Sequence, residues 1–512
     1  MSSSCLKTLL AYRADLVDIY KHAIEAVKPD QLVKNAIKFK DQTVLVRGQT
    51  GCSSATKASY INYDLRNLNL HVVGGGKCVL EMARGLAEVA SQAQLTDRFS
   101  HGCLSLPIGQ QTEFEKDSKT QYLLDSIKVS CRFGAANNLP DENSVAGSKF
   151  LLDQIRQAAA KDETEKRHSL FIVLISGGGS ACLTSPEHVS LSEKLSITRQ
   201  LVQSGADIIE LNNVRRCLSS IKAGQLARHI LESNPNSQII SLILSDTIGD
   251  SIESIASGPT HFNDRNDNWK TMLDVLKKYD LLRSYAHLFE KSHERLVEPK
   301  VSSIVQNIVI ANNSTALEGA ITRAKQLGYD TENLRSGLSG PTEVIVDTLL
   351  RKVDNLSSTS DRLLIVGGGE GTVKKNQGET WGLGGRVQEM ALDYLILKMN
   401  EKSINTSSEL DYFLAGSTDG QDGPTDVAAC LASYSEWKIV RHEPTSSKLI
   451  TSLEDIKLAK SSHDSYNFWI RQRPEWLVKT GLTGTNVMDI FLYLLSNKED
   501  RGFNKERGYS TF

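Results

Sequence analysis

Several features that would assign a function directly are absent from this sequence of 512 residues. It contains neither GxxxxGKS/T, the phosphate-binding motif of P-loop enzymes, nor GxGxxG, the dinucleotide fingerprint. Its eight cysteines include no CxxC pair, which argues against a zinc site and against a disulfide framework. No apolar run approaches the ~18 residues that a membrane span needs. A function has to be sought in less common motifs.

A charge imbalance is also absent. The 59 basic and 61 acidic residues give a net charge of −2, so we expect no nucleic-acid partner and no membrane partner. Any anionic ligand must then be held by local groups. The N-terminus has no secretory apolar segment and carries Asp15 and Asp18 within a helical apolar period. We expect a cytoplasmic protein that begins with an amphipathic helix, with a short mitochondrial presequence as the alternative.

What the sequence does contain is a recurring unit: a short apolar strand, a turn rich in Gly, Asp and Ser, and a segment of helical period. The unit recurs at residues 68–76, 170–181, 238–250, 307–314, 363–371 and 412–426. Near-continuous apolar strands that alternate with helices are typical of parallel sheets covered on both faces. We therefore predict an α/β fold with its site at the carboxyl ends of the strands.

One charged stretch has no strand signal and predicts the domain boundary. It covers residues 266–300, which places the boundary near residue 300. The predicted domains are residues 1–300, a Rossmann-like α/β domain with glycine-rich anion loops, and residues 301–512, a second α/β domain.

The first motif is VVGGGKCVLEMA at residues 72–83. A strand ends in three glycines, and a helical segment follows Lys77. Gly75 and Gly76 allow backbone N–H groups to approach an anion, and Lys77 adds a positive charge. Taken alone, the pattern fits a tight turn with a solvated lysine equally well.

The second motif is LFIVLISGGGSACL at residues 170–183. Consecutive glycines after a buried strand favour a backbone nest for phosphate or carboxylate oxygens, with a simple turn as the alternative. The predicted anion-binding residues of this segment are Ser176, Gly177, Gly178, Gly179 and Ser180.

The third motif, GADIIELNNVRRCLSSIKAGQLA, covers residues 205–227. Val214, Leu218 and Ile221 mark one buried helical face. Arg215, Arg216 and Lys222 lie elsewhere on the assumed helix, so we interpret these basic residues as a solvated face. The AGQLA turn has no explanation at this level.

The fourth motif, SLILSDTIGD, ends a strand with Asp246 and continues to Asp250. Two carboxylates at a strand end suit Mg²⁺, and a carboxylate there can also accept the proton of a substrate hydroxyl. A helix cap is the alternative, and Asp250 is the better candidate for it.

In the second half, LGGRVQEMAL places Arg386 after two glycines at the start of a helix. This position suits bidentate binding of a phosphate or carboxylate. The segment GSTDGQDGPTD places Asp419 and Asp422 in a turn at a strand end. Such aspartates can bind a cation, although Asp-Gly is also ordinary turn chemistry.

Together and in this order, the motifs resemble the glycerate kinases that carry a MOFRL domain. The matching segments span about residues 15–491 and are GGGK, SGGGSA, the ADI-E-N-VR helix, SD-x-x-GD with ASGPT, GGR-x-QE, TDG-x-DGPTD and TGTNV-x-D. The resemblance implies two three-layer α/β/α domains with mainly parallel sheets and a cleft between them. It also implies Mg²⁺, ATP as co-substrate, and phosphorylation of D-glycerate in serine and fructose metabolism. The 2-hydroxyl is the expected acceptor, which would give 2-phosphoglycerate and ADP.

The resemblance also implies roles for individual residues. Lys77 matches the lysine near the transferring phosphate, Arg386 the catalytic arginine, and Asp246 the strand-end aspartate. Asp419 and Asp422 match the pair expected at the cleft.

The sequence departs from the family pattern at several positions. These are Asn138, Asn213, Cys217, Pro341, Val387 and Leu482. The departures leave open a non-catalytic relative that binds nucleotide or glycerate, and a hydroxypyruvate reductase is a further alternative. The assembly is also open, and a homodimer is compatible with the sequence.

Overall fold

The computed structural model describes residues 3–47, 60–262, 265–285, 304–354, 362–374, 382–400, 409–441 and 452–497. The chain forms two compact units. One is Pro29–Ala311, and the other consists of the described residues of Met1–Lys28 and Asn312–Phe512. This division differs from the predicted one because the N-terminal helix packs with the second half of the chain.

The described residues of the first unit form two sheets. Their strands are β1 (Ile37–Lys40), β2 (Thr43–Arg47), β3 (Tyr60–Asp64), β4 (Leu68–Gly75), β5 (Phe99–Pro107), β6 (Val129–Gly134), β7 (His168–Ile175), β8 (Gln238–Leu244) and β9 (Val305–Ala311). Strands β1 to β3 form a small antiparallel sheet. The main sheet has the order β6-β5-β4-β7-β8-β9, and every neighbouring pair is parallel. This order reverses between β4 and β7, the switch point at which doubly wound sheets open a ligand crevice.

Helices connect these strands. They are α2 (Pro29–Ala36), α3 (Val79–Gln92), α4 (Gln111–Lys116), α5 (Ser118–Ser126), α6 (Glu142–Glu165), α7 (Gly179–Cys182), α8 (Leu191–Gln203), α9 (Ile208–Cys217), α10 (Gln225–Ser233) and α11 (Arg265–Lys278). Val73 and Phe171 of the sheet belong to one buried apolar cluster with Ile155 of α6 and Leu226 of α10. Burial of these apolar side chains is the main force that holds the helices on the sheet.

The second unit has a mixed sheet. Its strands are β10 (Asp330–Pro341), β11 (Arg362–Thr372), β12 (Glu409–Ser417), β13 (Ala429–Ala432), β14 (Leu477–Val478) and β15 (Asp489–Asn497). The order is β10-β11-β15-β12-β13-β14, in which β10 and β11 are parallel and the other neighbours antiparallel. Its helices are α1 (Ser3–Glu25), α12 (Asn313–Gln326), α13 (Thr342–Asp354), α14 (Arg386–Asn400), α15 (Tyr434–Arg441), α16 (Leu453–Ser461) and α17 (Ser465–Gln472).

The helix α1 belongs to the second unit because its apolar face is buried there. Leu16 and Tyr20 are fully buried. The Tyr20 hydroxyl donates to the Ser417 carbonyl oxygen at 2.5 Å, and the Tyr329 hydroxyl donates to Asp15 Oδ2 at 2.7 Å. The predicted amphipathic helix is therefore part of the fold, although its packing partners are in the C-terminal half of the chain.

The predicted α/β class with mainly parallel sheets is confirmed. The antiparallel pairs of the second sheet add a detail that the apolar strand runs could not show. None of the described helices combines the length and the apolar character that crossing a bilayer requires.

Candidate active site

The GGGK segment forms the turn between β4 and α3, with Gly75 at the end of the strand and Gly76 just after it. The backbone N–H of Lys77 donates to the Gly177 carbonyl oxygen at 2.8 Å. The next N–H, that of Cys78, donates to Ser176 Oγ at 3.0 Å. The GGGK turn is thus bonded to the SGGGS turn, which follows the neighbouring strand β7.

The SGGGS turn is shaped by its glycines. Gly178 has a φ of +78°, in the left-handed region that favours glycine. A Cβ added to Gly178 would lie 2.9 Å from Cγ of Lys77, so the Lys77 side chain runs along this backbone. The turn leads into the short helix α7, which begins at Gly179 and includes Ser180.

Asp246 also lies against this turn, next to Gly177. A Cβ added to Gly177 would lie 2.5 Å from the carboxyl carbon of Asp246 and would overlap its Oδ2. The carboxyl ends of β4, β7 and β8 therefore bring Lys77, the SGGGS turn and Asp246 together. Asp250 ends the 3₁₀ turn Ile248–Asp250, which follows β8, and has a φ of +53°.

The described residues include no group of three or more His, Cys, Asp and Glu arranged to hold a metal ion. Mg²⁺ demands less than this, because it is commonly bound by one or two carboxylates, substrate phosphates and water. The Asp246 carboxylate beside a glycine backbone fits such a donor set. The assignments of Asp246 and Asp250 as metal ligands stay predictions.

Two basic residues of the third motif, Arg216 and Lys222, are buried, contrary to the predicted solvated face. Lys222 is 4% exposed and Arg216 is 9% exposed. Arg216 forms an ion pair with Glu253, and Lys222 Nζ donates to the Ser180 carbonyl oxygen at 2.5 Å. The helical interpretation failed because α9 ends at Cys217 and a turn redirects the chain. Lys222 is thus a residue near the site that sequence reasoning missed.

In the second unit, Arg386 begins α14 and contacts two carboxylates. Its Nε lies 2.6 Å from Asp489 Oδ2, and its Nη2 lies 2.8 Å from Asp489 Oδ1. Its Nη1 lies 3.2 Å from Oε1 of Glu370. Asp489 therefore occupies the bidentate face formed by Nε and Nη2, and ligand binding by Arg386 stays a prediction.

Asp489 is fully buried, and the sequence reasoning assigned it no role. Burial raises the pKa of Asp489 to about 6, against the opposing effect of the Arg386 guanidinium. This carboxylate fixes the orientation of the arginine. The role of this carboxylate could not be inferred from the TGTNV segment, because its partner Arg386 lies 103 residues away in the sequence.

Asp422 caps the helix that carries Arg386. Its Oδ1 accepts from the Val387 N–H at 3.2 Å, and its Oδ2 accepts from the Gln388 N–H at 3.1 Å. Burial raises the pKa of Asp422, and the hydrogen bonds from Gln388 oppose that shift. Asp419 accepts a hydrogen bond from Ser417 Oγ at 2.8 Å within its turn. Cofactor binding by Asp419 and Asp422 stays a prediction.

Asn313 is a further residue that sequence reasoning missed. It is 1% exposed, and its Nδ2 donates to the carbonyl oxygens of Val487 and Asp489 at 2.8 and 2.9 Å. A Cβ added to Gly368 would overlap the Asn313 side chain. Asn313 thus connects the glycine-rich end of β11 with the start of β15, where Asp489 holds the arginine.

Comparisons with known proteins identify the family to which these motifs belong. Residues 15–290 match a domain of unknown function, DUF4147, and residues 363–489 match the MOFRL family. The glycerate kinase of Danio rerio is 32% identical over 528 aligned residues, which cover 93% of this chain and 96% of that protein. The chain belongs to the glycerate kinase family.

Two further similarities extend this result within the glycerate kinase family. The glycerate 2-kinase of Pyrococcus horikoshii is 28% identical, with 94% of this chain and 96% of that protein aligned. The crystal structure of glycerate kinase from Thermotoga maritima has a TM-score of 0.69 and 26% identity, and covers 94% of this chain and 99% of its own. The resemblance inferred from the motifs and the prediction of a kinase are both confirmed.

Proposed function

We propose that this protein transfers the γ-phosphoryl group of ATP to the 2-hydroxyl of D-glycerate, giving 2-phosphoglycerate and ADP. The observation that carries the proposal is the joined pair of glycine turns at the switch point of the parallel sheet, with Lys77 beside Gly178 and Asp246 beside Gly177. The names of the relatives support glycerate as the acceptor. The relative named glycerate 2-kinase supports the 2-hydroxyl.

Phosphoryl transfer depends mostly on positioning and on neutralising charge. In the proposal, Lys77 places its ammonium group on the phosphate oxygens, and the SGGGS backbone binds them through N–H groups. Asp246 orients the acceptor hydroxyl and takes its proton as the new O–P bond forms and the bond to ADP breaks. When bound, Mg²⁺ would neutralise phosphate charge, with the carboxylates of Asp246 and Asp250 as its protein ligands.

Arg386 is proposed to stabilise negative charge on the transferring group. Asp489 occupies Nε and one N–H group of Nη2, so the other N–H group of Nη2 and those of Nη1, which lies near the half-exposed Glu370, remain for an anion. In this arrangement Asp489 holds the guanidinium in one orientation, and the ligand replaces Glu370 as its second partner. Asp419 and Asp422 are proposed to support nucleotide binding in the same unit.

The test is an ATP and Mg²⁺ assay of the purified protein with D-glycerate, L-glycerate and hydroxypyruvate, with the product identified by phosphorus NMR. We expect ADP and 2-phosphoglycerate with D-glycerate alone. Formation of 3-phosphoglycerate would correct the acceptor position. ATP binding without turnover would instead favour a non-catalytic relative, and NADH oxidation with hydroxypyruvate would favour a reductase.

The cytoplasmic location and the homodimer are retained as proposals from the sequence. Imaging of the tagged full-length chain tests the location. Light scattering of the purified protein measures the assembly.

A further inference from the structure

The turn between α9 and α10 has no role in the mechanism above, although it is bonded closely to the site. We call residues 221–224 the IKAG turn. Its Ala223 and Gly224 have φ values of +51° and +80°. The N–H of Ala223 donates to the Ser257 carbonyl oxygen at 3.0 Å, and that of Gly224 donates to the Gly258 carbonyl oxygen at 2.7 Å. The IKAG turn is therefore attached to the segment that follows Asp246 and its loop.

The Lys222 side chain attaches the same turn to the SGGGS segment. Its Nζ donates to the Ser180 carbonyl oxygen at 2.5 Å and lies 3.4 Å from that of Leu183. These two carbonyl groups belong to the short helix α7 and the residue after it. A third link joins Ser180 Oγ to Ser257 Oγ at 2.8 Å. The IKAG turn is thus bonded both to the SGGGS turn, which contains Gly177, and to the loop that follows Asp246. Gly177 and Asp246 lie in contact where these two loops meet.

The charge of Lys222 is unusual for a purely structural link. Among the ion pairs of the described residues, none joins Lys222 to a carboxylate, and its side chain is 4% exposed. Burial lowers the pKa of Lys222, and the neighbouring cations Lys194 and Arg215 lower it further. Burying the charged ammonium form of a lysine without a counter-ion is costly. A negatively charged ligand on the SGGGS turn would offset that cost.

We propose that Lys222 is a positioning residue: it holds the SGGGS turn in the conformation that binds an anionic phosphate group and keeps the turn in register with Asp246. The part that concerns turnover rests on the proposed kinase function. The part that concerns the conformation of the turn does not, and the experiment separates the two.

The test compares Lys222→Met with the matched control Lys194→Met. Lys194 is also buried, at 5% exposed, and its Nζ also donates to a carbonyl oxygen, that of Leu218 at 2.6 Å. It does not contact the SGGGS turn in any described hydrogen bond. We expect both substitutions to lower Tm, and only Lys222→Met to lower kcat, by about 10-fold or more, because a catalytic turn displaced by about 1 Å loses up to ~100-fold in rate.

The decisive readout is kcat per folded molecule, determined separately from KM. A merely structural role would reduce the amount of folded enzyme without changing kcat per folded molecule. Equal kcat values for the two variants would overturn the proposal. If Lys222→Met does not fold, Lys222→Gln replaces it, because the glutamine amide can still donate to a carbonyl oxygen. We expect the kcat of Lys222→Gln to lie between the wild-type value and the lowered value expected for Lys222→Met.

Hydrogen exchange makes the test independent of the proposed reaction. Peptides that cover residues 176–183 should exchange faster in Lys222→Met than in the wild type or in Lys194→Met. If the wild type phosphorylates no acceptor, the proposed function fails while this result still decides the role of Lys222. Unchanged exchange in this segment would overturn the proposal whatever the activity of the wild type.

Discussion

The close contact between Gly177 and Asp246 predicts the effect of adding a single methyl group. In Gly177→Ala, the new Cβ would lie 2.5 Å from the carboxyl carbon of Asp246. Nonbonded carbon atoms need ~3.5 Å, so the turn or the carboxylate has to move by about 1 Å. Misplacement on this scale costs up to ~100-fold in rate, and overpacking costs about 1–3 kcal/mol of stability.

The assay is steady-state turnover of Gly177→Ala with ATP and D-glycerate, together with the midpoint of urea unfolding. The control is Gly109→Ala, since a Cβ added to Gly109 meets no atom within 4 Å. We expect kcat to decrease by about 10- to 100-fold in Gly177→Ala and to stay near the wild-type value in the control. Wild-type kcat in Gly177→Ala would show that the position of Asp246 against this turn does not matter for turnover.

Further predictions concern three charged residues. Lys77→Met should lower kcat/KM by about 100- to 1000-fold, as loss of one donor to a developing charge does, without a comparable loss in Tm. Asp489 should protonate as the pH falls through about 6, so kcat/KM of the wild type should fall in that range. Asp489→Asn lacks the titrating partner of Arg386, so its kcat/KM should depend less on pH there. The folded pKa of Asp489 lies above the unfolded value of about 4, so its contribution to stability is largest at low pH and is lost as the pH rises from about 4 to about 6. Urea unfolding of the wild type and of Asp489→Asn measures this loss. Asp422→Ala should lower the free energy of unfolding by about 1–2 kcal/mol, because the N–H group of Gln388 at the start of α14 loses its acceptor.

Parts of the site could be predicted because they depend on neighbours in the chain. Apolar strands that end in glycine turns place Lys77, Gly177 and Asp246 at the carboxyl ends of parallel strands, whatever the strand order. The order β6-β5-β4-β7-β8-β9 then makes the first two turns direct neighbours. That order depends on long-range pairing and was not predicted.

Other contacts could not be predicted because they come from distant segments of the chain. Lys222 was interpreted as solvated, since a helical period was extended past Cys217, where α9 in fact ends. The structure shows that the carboxylate of Asp422 caps α14, a contact that its motif does not reveal, and cofactor binding by Asp422 stays a prediction. A motif can identify the residue without identifying the group that its side chain contacts.

The sequence by itself determined the α/β class, the family and the strand ends that carry chemistry, because local apolar period and turn composition specify them. Only the tertiary structure showed that Arg386 is held by Asp489, 103 residues away, and that Tyr20 bonds to Ser417, 397 residues away. Such contacts depend on which strands pair and which helices bury their apolar faces together. No local pattern encodes these choices, because they follow from the packing of the whole unit.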